Sequence, residues 1–145
     1  MNVSTSQEEI NKLRQNALYK LDLKTCDRWQ KLPSFPGPQR VQPILVNDGK
    51  KLYLIGGFQA PSDSSASILS HDILCYTPQT DRWEYDSHIP YQGNKEKRCM
   101  AGGSGVQTDT HLILTEGVNY HIFKNALDGK ARKRLFNSRP LLVQI

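Results

Sequence analysis

The sequence lacks features that disulfide-rich, membrane-spanning and secreted proteins require. Its 145 residues include only three cysteines, an odd number that does not build a disulfide framework. No apolar run approaches the ~20 residues that span a membrane. Residues 1–15 are polar and lack the apolar centre of a secretory signal. We therefore predict no membrane association, and the chain itself leaves a periplasmic or a cytoplasmic location open.

Signals for cofactors, metals and nucleic acids are also missing. The net charge is +5, but a nucleic-acid surface needs a basic face interleaved with exposed aromatics, and only residues 130–134 concentrate positive charge. The histidines lack metal-ligand spacing. The chain contains no Ser-His-Asp order, no phosphate-binding glycine loop and no CxxC pair. We predict no nucleic-acid partner, no metal and no cofactor. The histidines are His71, His88, His111 and His121.

One short stretch organises the chain: the apolar run KLYLIGGF, which starts at Lys51 and ends in a double glycine. It is too short for a helix, and its Tyr, Leu and Ile side chains suit a half-buried strand. The glycines permit a positive φ and a close backbone approach. The following segment, Asp72 to Trp83, indicates a strand, a tight turn containing proline, and a return strand that begins near the tryptophan.

Both halves of this pattern occur again. The segment Leu18 to Trp29 repeats the strand–turn–Trp half with one extra turn residue. His111 to Val118 repeats the Gly-Gly half at a constant offset of sixty positions, with Glu116 in place of the first glycine. Self-similarity at about 50 residues is typical of kelch propellers, which need roughly 4–8 blades to close. The chain is therefore predicted to be an incomplete, all-β, kelch-type β-propeller, with about two blades' worth of four-stranded antiparallel sheet.

The repeats divide the chain into five segments and place its tryptophans and cysteines. Trp29 and Trp83 are predicted to be core plates between blades, and Cys26 and Cys75 to be small buried side chains. Short helices are expected at 7–15 and at a start within 119–127. The segments are a lead-in at 1–16, the second half of a blade at 17–35, a complete blade at 36–90, the first half of the next blade at 91–130, and a divergent, basic, poorly ordered tail at 131–145.

Three stretches are more specific than a generic kelch blade. They are NALYKLD at 16–22, PGPQRVQP at 36–43 with YLIGGF at 53–58, and GGSG at 102–105 with GVNYHIFKNAL at 117–127. Together they resemble the cyclically permuted mutarotase family, the kelch-propeller relatives of the bacterial N-acetylneuraminate (sialic acid) mutarotases or epimerases. The resemblance covers about residues 8–130. It departs at Glu116, where the family has glycine, and stops near Lys130, as a truncated or frame-shifted gene would produce.

The resemblance implies a sugar isomerase that interconverts anomers of N-acetylneuraminate. Such an enzyme needs one group to take the anomeric hydroxyl proton and another to protonate the ring oxygen. A cation is needed for the sugar carboxylate, and the planar fork of arginine suits it best. Ends of inner strands around a propeller channel supply such groups. The candidates are Glu116 and Arg40 as catalytic residues, and Arg40, Gln42, Arg98 and Asn119 as substrate contacts.

Each candidate also has a structural alternative. Arg40 would instead pair with a loop carboxylate and anchor neighbouring blades, and Gln42 would satisfy backbone groups between blades. Arg98 would be a solvated loop charge, Asn119 a helix cap, and Glu116 drift in a decaying gene. The function has alternatives too. One is a kelch module that binds another protein without enzymatic activity, since propellers host many functions. The other is an inactive remnant that lacks its remaining blades.

Overall fold

The structure, a computed structural model, describes residues 16–59, 68–90, 99–115, 117–118 and 141–144. The chain divides into two units, Met1–Gln39 and Arg40–Ile145, and each is considered by itself. Every regular element in the described ranges is a β-strand. Within those ranges no helix is long and apolar enough to cross a membrane. The helices expected at 7–15 and within 119–127 lie outside the described residues.

In the first unit, the described residues 16–39 contain one antiparallel hairpin. Its strands are β1 (Leu18–Leu21) and β2 (Trp29–Leu32), and they pair along their whole length. In the turn between them, the amide of Cys26 donates to the carbonyl of Asp22 at 2.8 Å. Cys26 itself takes a left-handed backbone conformation with φ +48°. The hairpin lies within residues 17–35, for which the sequence predicts the second half of a blade.

The second unit begins with a complete four-stranded antiparallel blade. Its strands lie in the order β3, β4, β7, β8, so that β3 and β8 form its two edges. A separate two-stranded ribbon, β5 with β6, follows the double glycine. The strands are β3 (Ile44–Asn47), β4 (Leu52–Ile55), β5 (Phe58–Gln59), β6 (Ile68–Leu69), β7 (Asp72–Thr77) and β8 (Arg82–His88).

A second, three-stranded sheet follows in the same unit. It contains β9 (Ser104–Gln107), β10 (His111–Thr115) and β11 (Leu141–Gln144), in the order β9, β10, β11. The inner strands β3 and β9 are neighbours, and they pack closely because position 105 is glycine. A Cβ added at Gly105 would lie 2.3 Å from Cγ2 of Val46. The two sheets therefore stack as successive blades do.

The core lies between and within these two blades. In β10 burial alternates along the strand, as expected when one sheet face meets the core. In β7 four consecutive residues are buried, because this central strand is covered on both faces. Each large aliphatic side chain buried in this way contributes about 1.5–3 kcal/mol. The core residues are Ile44, Val46, Tyr53, Ile55, Ile73, Cys75, Ile89, Met100, Leu112 and Leu114.

The predicted sixty-residue offset is present in three dimensions. An isolated bridge joins Val41 to Phe58, and an equivalent bridge joins Ala101 to Val118, sixty positions later. The backbone torsions agree as well, with φ +91° at Gly57 and +86° at Gly117. The same turn closes both hairpins, since the amide at position 48 bonds the carbonyl at 51 and the amide at 108 bonds that at 111. The second sheet therefore repeats the inner half of the first.

Two expectations differ from the structure, and one strand was not expected. Within the tail at 131–145 the structure describes residues 141–144, which form β11 because Leu, Leu and Val favour extended backbone and β10 offers an edge to pair with. Trp29 is 66% exposed rather than a core plate, since its hairpin has only two strands in the described part of its unit. Cys26 is exposed, whereas Cys75 is buried as predicted.

Candidate functional site

The residues of interest lie at one end of the two blades. At this end β3 and β9 begin, while β4 and β10 finish. Because both blades have the same register, their loops meet there. We call this end the glycine rim and define it by residues 40–43, 56–58, 101–103 and 117–118. Two of the five predicted site residues, Arg40 and Gln42, lie on it. Glu116, Arg98 and Asn119 lie outside the described residues, and their roles stay predictions.

Arg40 is held inside its own blade. Its Nη2 donates to Oδ2 of Asp72 at 2.7 Å, and its Nη1 donates to the carbonyl of Gly56 at 3.3 Å. The arginine side chain is only 1% exposed, and that of Asp72 is 28% exposed. Asp72 opens β7, and its carbonyl accepts the amide of Gly56 at 3.1 Å. The ion pair therefore joins the loop before β3 to the end of β4 and the start of β7.

This arrangement is the carboxylate pairing that the sequence left open as the alternative for Arg40. The partner differs from the one expected, since Asp72 belongs to a strand of the same blade and not to a loop between blades. Removing one partner of a buried ion pair costs several kcal/mol. A bound anion would therefore have to compete with Asp72 for the Arg40 guanidinium.

Gln42 connects the two blades through its backbone. Its carbonyl accepts the amide of Gly102 at 2.8 Å. It takes φ +52°, which is uncommon for a residue other than glycine. Its side-chain Oε1 lies 3.3 Å from the place where a Cβ at Gly102 would stand. The residue is exposed at the rim. Gln42 thus fixes the adjacent loop with its main chain and leaves an amide side chain at the surface.

The double glycine brings the next blade into contact with the rim. The amide of Gly57 donates to the carbonyl of Met100 at 2.8 Å. A Cβ at Gly56 would lie 2.2 Å from that same oxygen, and the φ of this glycine is +60°. No side chain fits there without moving the backbone of the following blade. Gly56 is therefore a point of close approach between the blades, and position 116 is its counterpart sixty residues later.

Sequence reasoning did not identify Asp72, nor a pair of histidines beside it. His71 precedes β7 and His88 ends β8, and their ring centroids lie 6.1 Å apart. The hydroxyl of Tyr85 contacts Nδ1 of His88. The signal for this grouping is the pairing of β7 with β8, which sets Asp72 opposite His88. Within the described ranges, no set of three His, Cys, Asp or Glu side chains is placed to hold a metal ion.

Perturbed acids lie at the opposite end of the first blade, where they close turns. Burial raises the pKa of Tyr53 to about 12, with the nearby Asp48 carboxylate adding to the shift. Burial also raises the pKa of Tyr76 to about 12, and its hydroxyl bonds the carboxylate of Asp81. Burial alone would raise the pKa of Asp48, but hydrogen bonds to its carboxylate, led by the Lys51 amide, hold this pKa below the ordinary value. These groups stabilise turns at the end of the first blade that is opposite the glycine rim.

Comparisons with known proteins agree with this architecture. A family model described as N-acetylneuraminate epimerase matches residues 13–134. The N-acetylneuraminate epimerase of Salmonella typhi is 34% identical over 107 residues, which is 72% of this chain and 26% of that protein. The Pasteurella multocida protein of the same description is 31% identical over 106 residues, again 72% of this chain and 26% of that protein.

A solved structure gives the same result for the fold. The structure of YjhT, a β-propeller, superposes with a TM-score of 0.63 and 29% sequence identity. The match covers 81% of this chain and 33% of that one. The blades described above are thus part of an incomplete β-propeller. The chain spans about a quarter of the length of the curated relatives that it matches. From the family match and the shared blade architecture, the chain belongs to the N-acetylneuraminate epimerase family.

Proposed function

We propose that this chain contributes blades to a carbohydrate isomerase that interconverts the anomers of N-acetylneuraminate. The observation that carries the proposal is the family match over residues 13–134, which includes the first blade, strands β9 and β10 of the second, and the whole glycine rim. The substrate is a sugar acid, so the protein needs a cation for its carboxylate and two groups that move protons at the anomeric centre. The rim is where β3 and β9 begin and β4 and β10 finish, and two of the candidate residues, Arg40 and Gln42, lie on it.

Within this proposal the rim residues have different tasks. Gln42 offers an exposed amide that can hydrogen-bond a sugar hydroxyl. Arg40 contributes positive charge, but its two Nη atoms bond Asp72 and Gly56. It therefore acts chiefly by fixing the loop that presents Gln42. Arg98 and Asn119 are proposed as further substrate contacts, and Glu116 as the group that exchanges the proton of the anomeric hydroxyl.

The second candidate is a propeller segment that binds another protein and has no catalytic activity. The engagement of Arg40 by Asp72 favours it, because the buried arginine is already neutralised by a protein carboxylate. Exposed apolar side chains on the edge strands, Leu45 on β3 and Tyr85 on β8, also suit a protein partner. The remaining blades of a longer propeller are one such partner, since this chain spans only part of its relatives.

Mutarotation measured by NMR distinguishes the two candidates. Freshly released α-N-acetylneuraminate is mixed with the folded protein, and the signals of the two anomers are followed against the spontaneous rate. The isomerase proposal expects faster conversion to the β anomer. It also expects Glu116→Gln to lower the rate about 10²-fold, the usual range for loss of one acid–base group. Glu84→Gln, the same change on the exposed outer strand β8, is the matched control and should leave the rate unchanged.

The result that contradicts the isomerase proposal is a spontaneous rate with a soluble sample whose β-sheet circular dichroism is intact. In that case, retention of a purified propeller partner on the immobilised chain would support the binding alternative. Equal rates for Glu116→Gln and the unsubstituted protein would retain the activity but remove Glu116 from the mechanism.

A further inference from the structure

Strand β11 lies outside the stretch that matches the family, yet it adds a third strand to the second blade. The family match ends at residue 134, and β11 is Leu141–Gln144. It pairs antiparallel with β10, with Val143 opposite Leu112. In the first blade the partner of β4 is β7, which sets Tyr76 opposite Leu52. Because position 112 is the counterpart of position 52, β11 occupies the place and the register of the third strand of a blade.

The backbone groups that β11 satisfies can be identified. The amide of Thr108 donates to the carbonyl of His111, so this pair is hydrogen-bonded on the β9 side. In an antiparallel strand the direction of the backbone groups alternates from residue to residue. Ile113 therefore also points toward β9, whereas Leu112 and Leu114 point their amides and carbonyls toward β11. The first blade follows the same rule, since the amide of Gly56 bonds the carbonyl of Asp72 on the β7 side.

The same alternation applies to β11. Val143 and Leu141 stand opposite Leu112 and Leu114, so their backbone groups point toward β10. Leu142 lies between them and points its amide away. Without a partner strand, the edge of β10 would expose the backbone groups of two fully buried leucines, and an open edge of this kind pairs readily with any extended strand.

We propose that the outer edge of β10 is a strand-acceptor site, which Leu141–Gln144 fills in cis and the same strand of a second copy of the chain fills in trans. The partner is a second copy because each copy carries both the acceptor edge and a strand that matches it in register. The recognition is β-augmentation, in which main-chain hydrogen bonds supply affinity. Exchange of an identical element between copies gives a domain-swapped dimer.

Two proline substitutions in the full chain test the site. Val143→Pro removes an amide that points toward β10, whereas Leu142→Pro, its matched control, removes an amide that points away. Amide hydrogen exchange should show that Leu112 and Leu114 are protected in the unsubstituted protein. That protection should be lost in Val143→Pro and retained within about tenfold in Leu142→Pro. Ile113, which bonds β9, should stay protected in all three proteins.

A labelled peptide of residues 137–145 then tests acceptance in trans by fluorescence anisotropy. It should bind Val143→Pro saturably and the unsubstituted chain at least tenfold more weakly, because the cis strand fills the site. The peptide that carries Val143→Pro should not bind. Sedimentation at rising concentration should show a dimer for the unsubstituted chain and not for Val143→Pro. Two results would overturn the proposal: equal loss of protection in both proline variants, or fast exchange of Leu112 and Leu114 in the unsubstituted chain. If Val143→Pro does not fold, the amide exchange rates of Leu112 and Leu114 in the unsubstituted chain still test the proposal.

Discussion

Substitution of Gly56 by alanine measures how closely the two blades approach. The new Cβ would stand 2.2 Å from the carbonyl oxygen of Met100, where contacts under 3.0 Å force something to shift. The obstructing atom belongs to the backbone of the next blade, so it cannot rotate away as a flexible side chain would. The same carbonyl accepts the amide of Gly57, and moving it weakens that bond.

The expected loss of stability is the sum of three effects. A left-handed conformation at alanine costs about 1–2 kcal/mol, and the φ of Gly56 is +60°. Overpacking against a fixed neighbour costs about 1–3 kcal/mol, and the weakened Gly57 hydrogen bond about 1 kcal/mol. We expect Gly56→Ala to lower the free energy of unfolding by roughly 3–5 kcal/mol, taking the lower part of each range where the effects overlap.

Gly49→Ala is the matched control. Gly49 has φ +81°, but a Cβ there would meet nothing within 4 Å. Only the conformational cost of about 1–2 kcal/mol remains. Urea unfolding, followed by circular dichroism, compares the two variants with the unsubstituted protein. If Gly56→Ala is no less stable than Gly49→Ala, and the Gly57 amide keeps its protection from exchange, then the Met100 carbonyl does not lie over Gly56 and the two blades do not meet at this glycine.

Two further predictions concern charge and ionisation. Asp72→Asn should destabilise the protein by about 3 kcal/mol in urea, because it removes a carboxylate that pairs with the buried Arg40. The apolar double variant Arg40→Met with Asp72→Leu should recover most of the loss, and equal losses for the single and double variants would contradict the pairing. Tyr53 and Tyr76 have folded-state pKa values raised to about 12 from an ordinary value near 10, so the stability they confer is complete below pH 10 and falls as the pH rises from 10 to 12. Thermal melting across this range should decline less for Tyr76→Phe than for the unsubstituted chain, and parallel curves would refute the raised pKa of Tyr76.

The strands and their repetition could be predicted because they depend on local pattern. Alternating apolar residues, a double glycine and an Asn-Asp-Gly turn indicate the hairpin at 41–58, and the second hairpin repeats its apolar pattern with Glu116 in place of one glycine. The offset between Val41 and Ala101 then follows from matching the two hairpins. The ion pair of Arg40 with Asp72 could not be predicted in the same way, because its partners are 32 positions apart and meet only once β4 and β7 pair.

The geometry of the turns and the last strand also could not be predicted from the local sequence pattern. Cys26 has φ +48° and Asp81 has φ +55°, so these two residues share the left-handed position of their turns. The extra residue of the first turn is therefore Asp27, which follows the left-handed residue. The sequence pattern alone did not show this. Strand β11 was missed because the basic residues before it dominated the tail, while Leu141–Gln144 becomes a strand only beside the edge of β10.

The close packing of Gly105 against Val46 makes the two blades structurally different. The counterpart of Gly105 in the first hairpin is Leu45, which is half exposed. If hairpin 41–58 were grafted into the place of 101–118, leucine would enter a space that has no room even for a Cβ. The two hairpins have the same backbone conformation but cannot replace each other. The absence of a side chain at position 105 therefore fixes which blade comes first and which comes second.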